Sequence, residues 1–108
     1  MERAVIVYTT WPTAVEAEAA GRILVERRLA ACVNILPGMT SIYSWKGALE
    51  RGEEAVMIIK TRASLADDVS RTVKELHTYE TPAVMVMALE SVEKSYLGWI
   101  LAETGPAK

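Results

Sequence analysis

The order of strand-like and helix-like segments constrains the fold of this chain more than any other feature. Short runs of β-branched or uninterrupted apolar residues predict buried strands, and apolar residues at helical spacing predict helices between them. The predicted strands cover residues 3–9, 31–45, 54–61 and 83–89, and the predicted helices cover residues 13–28, 64–76 and 92–103. This β-α-β-β-α-β order with an extra C-terminal helix indicates an α+β, ferredoxin-like sandwich, with an antiparallel sheet and helices on one face. We expect a single domain over residues 1–108.

The first helix has a clear start and a narrow apolar stripe. Thr13 and Glu16 have the three-residue spacing of a capping box, and the helix continues to about Arg28. One face carries the small or apolar residues Ala17, Ala20, Gly21, Leu24 and Val25. An amphipathic helix of this kind lies on a sheet, and its small residues predict a close approach.

Breaks in the pattern place the remaining connections. Pro37-Gly38 predicts a bulge or bend, because proline cannot donate to a strand ladder. Residues 46–52 contain two glycines and are interpreted as the connection of a hairpin. Ser64 and Asp67 repeat the capping spacing and predict the start of the second helix, and Thr81-Pro82 ends that region.

The last two strands predict that the chain is not a monomer. Residues 56–59 and 84–87 are apolar at every position. Because consecutive side chains of a strand point to opposite faces, both faces of the sheet must be covered. The outer half of the long hairpin adds Ile42, Tyr43 and Trp45, a patch that soluble monomers rarely expose. We expect a closed homo-oligomer; a monomer whose C-terminal helix shields the second face is the alternative.

Composition limits the location and the partners. The chain has 108 residues and a formal net charge of −2, which argues against a nucleic-acid-binding protein. No apolar run approaches the ~20 residues that cross a bilayer, and the N-terminus lacks the features of a secretory signal. Cys32 is the only cysteine, so no internal disulfide is expected. These features predict a cytoplasmic protein without nucleic-acid or membrane partners.

The sequence resembles the CutA family, the divalent-cation tolerance proteins. The resemblance covers nearly the whole chain and rests on the segments Leu29–Gly38, Ser41–Trp45 and Ile59–Thr61, with Gly47, Glu50, His77, Tyr79, Glu80, Pro82, Tyr96, Leu97 and Trp99. It implies a ferredoxin-like subunit in a homotrimer similar to the PII signalling proteins. The family usually has His-Pro-Tyr-Glu-Val-Pro-Glu where this chain has His77-Thr-Tyr-Glu-Thr-Pro-Ala83. Ala83 therefore lacks the carboxylate of the last family position.

The candidate metal ligands are few. Cys32 is the only thiol and His77 the only imidazole, a soft pair that suits copper or zinc, and Glu80 would add an oxygen ligand. No Cys-x-x-Cys or His-x-x-x-His pair accompanies them. Cys32 is equally well interpreted as a small buried hydrophobic residue, and His77 as a helix C-terminal cap with a protonated ring.

Three functional hypotheses follow. By resemblance, the chain is a cytosolic trimer that binds copper or another divalent cation through Cys32 and His77. Alternatively, it is a PII-like sensor or scaffold whose intersubunit cleft holds a small ligand, lined by Trp45, Glu50, Lys60, Tyr79 and Glu80.

A thiol enzyme using Cys32 is the third hypothesis. The sequence contains no phosphate loop, metalloprotease pair or nucleophile elbow, so we expect no catalysis. The acidic pairs Glu53-Glu54 and Asp67-Asp68 are interpreted as solvated carboxylates.

Overall fold

The computed structural model describes residues 2–106. Four strands form one antiparallel sheet in the order β2-β3-β1-β4. The elements follow the chain as β1 (Ala4–Trp11), α1 (Ala14–Glu26), β2 (Cys32–Trp45), β3 (Ala48–Arg62), α2 (Ala66–Leu76), β4 (Val84–Ala88) and α3 (Lys94–Glu103). This order confirms the predicted ferredoxin-like arrangement, in which β3 lies between the two strands that α1 connects.

One face of the sheet is covered by α1 and α2. Thr13 caps α1 as predicted, because its side chain accepts a hydrogen bond from the Glu16 backbone N–H at 3.1 Å. Gly21 explains the close approach: a Cβ there would lie 2.7 Å from Val33 Cγ2. Leu24 is fully buried, whereas Val25, expected in the same stripe, is 40% exposed. The main core therefore lies between α1, α2 and the sheet.

Beyond a bulge between Leu36 and Met39, β2 and β3 continue together as a two-stranded arm. We call Met39–Glu54 the arm and the rest of the described chain the body. The bulge at Pro37-Gly38 is confirmed, but the connection predicted at residues 46–52 is wrong. The turn consists of Lys46 and Gly47, with φ of 50° and 83°. A two-residue turn with both φ values positive matches the twist of a tight hairpin, so β3 starts at Ala48.

The second face of the sheet is covered only at one end, by α3. Ala4, Ala31 and Ile100 form a small separate core there. Arg62 holds the helix by donating to the Leu101 and Thr104 carbonyl oxygens. Elsewhere this face and the outer β4 edge remain open, and the exposed apolar residues include Leu36, Met85, Val86 and Met87. The prediction that apolar residues occupy both faces is confirmed.

Two predicted element ends differ from the structure. The first strand extends to Trp11 instead of Thr9, because the Trp11 indole N–H donates to Thr9 Oγ1 at 2.8 Å and the ring is buried. Ser64 does not cap α2. It lies in a 3-10 turn, Ala63–Leu65, and its hydroxyl donates to Glu2 Oε1 at 2.6 Å. No helix among residues 2–106 is long and apolar enough to span a membrane.

Candidate functional site

A cleft of about 720 Å³ lies where the arm leaves the body. Its aromatic walls come from β1, from the arm and from the segment after α2. The residues on which the site depends are Tyr8, Ser41, Tyr43, Trp45, Glu54 and Tyr79. Since β2 and β3 are locked in register across the arm, the positions of Tyr43 and Trp45 relative to Glu54 are fixed by the ladder.

Glu54 is the polar centre of the cleft. The Ser41 hydroxyl donates to Oε1 at 2.6 Å, and the Tyr79 hydroxyl donates to Oε2 at 2.9 Å. Burial, together with the hydrogen bond and the charge of Glu54, raises the pKa of Tyr79 to about 12. The interpretation of Glu54 as a solvated carboxylate is therefore wrong: the side chain is half-buried, and two hydroxyls orient it.

His77 fixes the backbone that presents Tyr79 to the cleft. Its ring is buried and stacks on Trp11, with the ring centroids 4.2 Å apart. The Tyr79 backbone N–H donates to His77 Nδ1 at 3.1 Å, so Nδ1 carries no proton. His77 Nε2 therefore carries the proton and donates to the Thr10 carbonyl oxygen at 2.6 Å. His77 is the C-cap residue of α2, as interpreted, and its backbone N–H donates to the Val73 carbonyl oxygen at 2.9 Å. The cap differs from the expectation because the ring bonds Thr10 and the Tyr79 backbone, so both of its nitrogens are used within the chain.

Cys32 belongs to a second cluster of polar side chains, with Asn34, Lys60 and Tyr96, on the sheet face that α3 covers. Its Sγ is 3.9 Å from the Tyr96 hydroxyl and 4.0 Å from Asn34 Oδ1. Lys60 pairs with Cys32 across the ladder, and its Nζ donates to the Tyr96 hydroxyl at 3.2 Å. That hydrogen bond raises the pKa of Lys60, with partial burial acting in the opposite direction. The thiol is half-buried and has no close hydrogen-bond partner.

Sequence comparison identifies the family of this fold. The family model described as "CutA1 divalent ion tolerance protein" matches residues 5–103. The chain belongs to the CutA family. The divalent-cation tolerance protein CutA of Thermus thermophilus is 37% identical over 100 residues, which cover 93% of this chain and 97% of that protein. Mouse protein CutA is 41% identical over 93 residues, which cover 86% of this chain. The match spans only 52% of the mouse protein.

Solved CutA structures have the same fold. The crystal structure of CutA1 from Oryza sativa superimposes with a TM-score of 0.93 at 34% identity, covering 97% of this chain and 96% of that one. The structure described as the periplasmic divalent cation tolerance protein CutA from Archaeoglobus fulgidus gives a TM-score of 0.87 at 39% identity, covering 90% and 94% of the two chains.

The three predicted metal ligands of this CutA chain do not meet within the chain. Cys32 is level with Ile6 of β1, whereas His77 contacts Thr10, four residues or about 13 Å further along that strand. Glu80 is exposed in the segment between α2 and β4. Among residues 2–106, no group of three or more His, Cys, Asp or Glu side chains is arranged to hold a metal ion.

Only two of the five residues predicted to line the ligand cleft share it. Trp45 and Tyr79 line the cleft. Glu50 is exposed on the arm, where it is the cross-strand partner of Tyr43, and Lys60 is the cross-strand partner of Cys32. Sequence reasoning missed Glu54 as a cleft residue. Strand alternation was a usable signal for it, since Glu54 precedes Val56, Ile58 and Lys60 at two-residue steps and so points to their face of the sheet.

Proposed function

We propose that this CutA chain acts in divalent-cation tolerance as a cytoplasmic homotrimer that binds copper or another divalent cation, with Cys32 as its principal ligand. Family membership supports the tolerance role. The assignment of Cys32 as a metal ligand rests on its weak contacts. Cys32 Sγ has only the distant contacts at 3.9 and 4.0 Å, whereas both ring nitrogens of His77 are hydrogen-bonded within the chain. A half-buried thiolate is a preferred ligand for copper and zinc.

The proposed trimer accounts for apolar surface that one chain leaves uncovered. Ile42 is 69% exposed and Leu49 79% exposed on the arm, and Met85 is 53% exposed on β4. Covering such side chains on assembly contributes about 25 cal/mol per Å² of apolar area. Because one chain assembles too few metal ligands, further ligands come from other copies in this proposal, and Glu80 is the exposed carboxylate assigned to that role.

The proposed role involves binding without catalysis. A cysteine nucleophile needs a base within hydrogen-bond reach, and the ring of His77 is committed to Thr10 and Tyr79. The cytoplasmic assignment is supported by the single cysteine, which needs no oxidising compartment. It contrasts with the periplasmic description of the Archaeoglobus relative. Fractionation of the source cells with antibody detection tests the location.

Metal titration tests the role of Cys32. The affinity for Zn²⁺ is measured by calorimetry. The affinity for Cu⁺ is measured by competition with a chromophoric chelator under anaerobic conditions, which prevent oxidation of the thiol. We expect Cys32→Ser to weaken binding at least tenfold and Glu80→Gln to weaken it less. Tyr96→Phe is the matched control, because it removes the hydroxyl beside the sulfur but no ligand. Unchanged affinity in Cys32→Ser contradicts the metal site, and light scattering that returns a monomer mass at micromolar concentration contradicts the trimer.

The cleft favours a second candidate function, a PII-like sensor or scaffold that holds a small ligand. Its volume of about 720 Å³ lies within the ~300–1,000 Å³ that is usual for small-molecule sites. Trp45 and Tyr79 supply aromatic walls, and the oriented Glu54 carboxylate supplies a polar group that fixes orientation. In the proposed trimer, neighbouring subunits would complete this cleft.

A further inference from the structure

The charge of the cleft is one-sided. Among the described residues that line it, Glu54 carries the one charged side chain, and the other polar side-chain groups are hydroxyls and the Trp45 indole N–H. Tyr79 is a neutral phenol at physiological pH, because its pKa of about 12 lies far above that pH. A ligand that enters the cleft therefore meets a negative charge in surroundings less polar than water, where a charge pair is stronger than at a free surface.

The Glu54 carboxylate retains capacity for a ligand. Each of its oxygens accepts one hydrogen bond from the chain, from Ser41 on one side and Tyr79 on the other. A carboxylate has about four lone-pair sites, so about two remain. Since the two hydroxyls already hold its orientation, an incoming donor does not have to order this side chain, which lowers the entropic cost of binding.

The walls of the cleft suit a cation that carries an apolar group. Tyr43, Trp45 and Tyr79 line the cleft and are 47%, 44% and 37% exposed. Aromatic faces attract ammonium and guanidinium groups within about 6 Å of the ring centroid. Lys46 Nζ already lies 5.8 Å from the centroid of Trp45, so this ring has a cation beside it in the isolated chain.

A metal ion fits the cleft less well than an organic cation does. Hard divalent ions such as Ca²⁺ take about six to eight oxygen ligands, usually from several carboxylates and carbonyls. The cleft offers one carboxylate, and residues 2–106 contain no cluster of three or more acidic, His or Cys side chains. An anion would face the Glu54 charge, and the cation beside the Trp45 wall, Lys46, does not line the cleft.

We propose that the cleft binds an organic cation, a protonated amine that carries an aromatic or aliphatic group. The ammonium group donates to Glu54, and the apolar group lies against Tyr43 and Trp45. This inference rests on the second candidate function, that the cleft holds a small ligand, and it is independent of copper binding at Cys32.

Three probes of the same shape test the class of ligand: benzylammonium, benzyl alcohol and benzoate, titrated into the metal-free full-length protein and followed by calorimetry and by NMR of the tryptophan indole N–H groups. We expect benzylammonium to bind at least tenfold more tightly than benzyl alcohol, and benzoate to bind most weakly. Because the preference is electrostatic, 0.5 M salt should reduce it.

Two variants assign the preference to the cleft. Glu54→Gln should remove it, and Glu53→Gln, the same change at the exposed neighbouring position on β3, should retain it. If Glu54→Gln fails to fold by circular dichroism, Trp45→Leu at the exposed arm replaces it and should weaken benzylammonium binding more than benzyl alcohol binding.

The outcomes separate the inference from the function on which it rests. Equal affinity for benzylammonium and benzyl alcohol in the wild type overturns the organic-cation inference but leaves the cleft as a ligand site. Failure of all three probes to bind overturns both. A tenfold preference that survives in Glu54→Gln, or in Trp45→Leu where that variant replaces it, places the cation elsewhere and also overturns the inference.

Discussion

The body and the arm contain similar kinds of apolar side chain but bury them very differently. Leu24 and Ile59 in the body are fully buried, whereas Ile42 and Leu49 in the arm are 69% and 79% exposed. In the body these side chains stabilise the fold of one subunit directly. In the arm they contribute only when a ligand or another chain covers them. Buried apolar side chains that stabilise the fold are thus concentrated in the body, and exposed apolar side chains are concentrated in the arm.

Hydrogen bonding shows the same contrast. In the body, the Thr9 hydroxyl donates to the Met57 carbonyl oxygen and accepts from the Trp11 indole, all within the buried core. In the arm, Ser41 and the body residue Tyr79 both donate to Glu54, which faces the cleft. The hydrogen bonds of Thr9 are all made within the buried core, whereas the Glu54 carboxylate keeps acceptor capacity on the side that faces the cleft.

The largest expected effect comes from a matched pair of leucine substitutions. Leu24→Ala removes a fully buried side chain and should lower the free energy of unfolding by about 2–5 kcal/mol. Leu49→Ala makes the same change at the 79% exposed arm position and should change the stability of one subunit by no more than about 0.5 kcal/mol. Urea unfolding of both variants measures the difference.

Protein concentration separates the two contributions at the arm. If Leu49 packs against another copy, its substitution lowers stability through loss of assembly, an effect that depends on protein concentration, whereas the effect of Leu24→Ala on the subunit core does not. Equal, concentration-independent losses in the two variants would contradict the division between body and arm.

A pair of glycine substitutions should give a smaller effect of the same kind. At Gly21 a Cβ would lie 2.7 Å from Val33 Cγ2 and 3.1 Å from Met57 Sδ. Gly21→Ala should therefore destabilise the protein by about 1–3 kcal/mol through overpacking, in spite of the ~1 kcal/mol that alanine contributes in a helix. A Cβ built at Gly52 would have no atom within 4 Å apart from its chain neighbours, and Gly52→Ala should leave thermal stability unchanged or slightly raised.

Rescue sharpens this second test. The double variant Gly21→Ala with Val33→Ala removes the nearest clashing methyl group and should recover part of the loss. If Gly21→Ala alone is as stable as the wild type, the contact between α1 and the sheet is looser than the structure shows.

The elements of the body were predictable because their patterns are set by burial. Apolar runs and the Thr13 cap located β1, α1 and β4 to within a few residues. The arm was harder to predict. Its strands are exposed on both faces, so residues 46–52, with their two glycines, resembled a loop. The left-handed backbone conformation of Lys46 is also not predictable from its residue type.

The site was only partly predictable, because its contacts join distant parts of the chain. Glu54 and Tyr79 are 25 positions apart and meet only after folding. Cys32 and His77 were predicted as ligands because they are the only cysteine and the only histidine. Their number in the sequence does not show whether their side-chain atoms are already hydrogen-bonded within the chain. The ring of His77 proved to be bonded on both sides, and this depends on a Thr10 carbonyl that sequence patterns do not reveal.

The smallest expected effect is a late tyrosine titration at the junction of arm and body. The pKa of Tyr79 is raised from 10.0 to about 12, first by burial and then by Glu54. Because the folded pKa lies above the unfolded one, protonated Tyr79 contributes a modest stability that is complete below pH 10 and is lost as the pH rises from 10 to about 12. Absorbance at 295 nm should show one of the four tyrosines ionising last.

Variants assign this late step to the junction. Tyr79→Phe should abolish it, and Glu54→Gln should move it to lower pH, because the acceptor charge that holds the phenol proton is gone. Tyr96→Phe, at the opposite end of the sheet beside Lys60, should retain it. Were the late step to persist in Tyr79→Phe, another tyrosine would be the last to ionise, and burial and Glu54 would not raise the pKa of Tyr79 above those of the other three tyrosines.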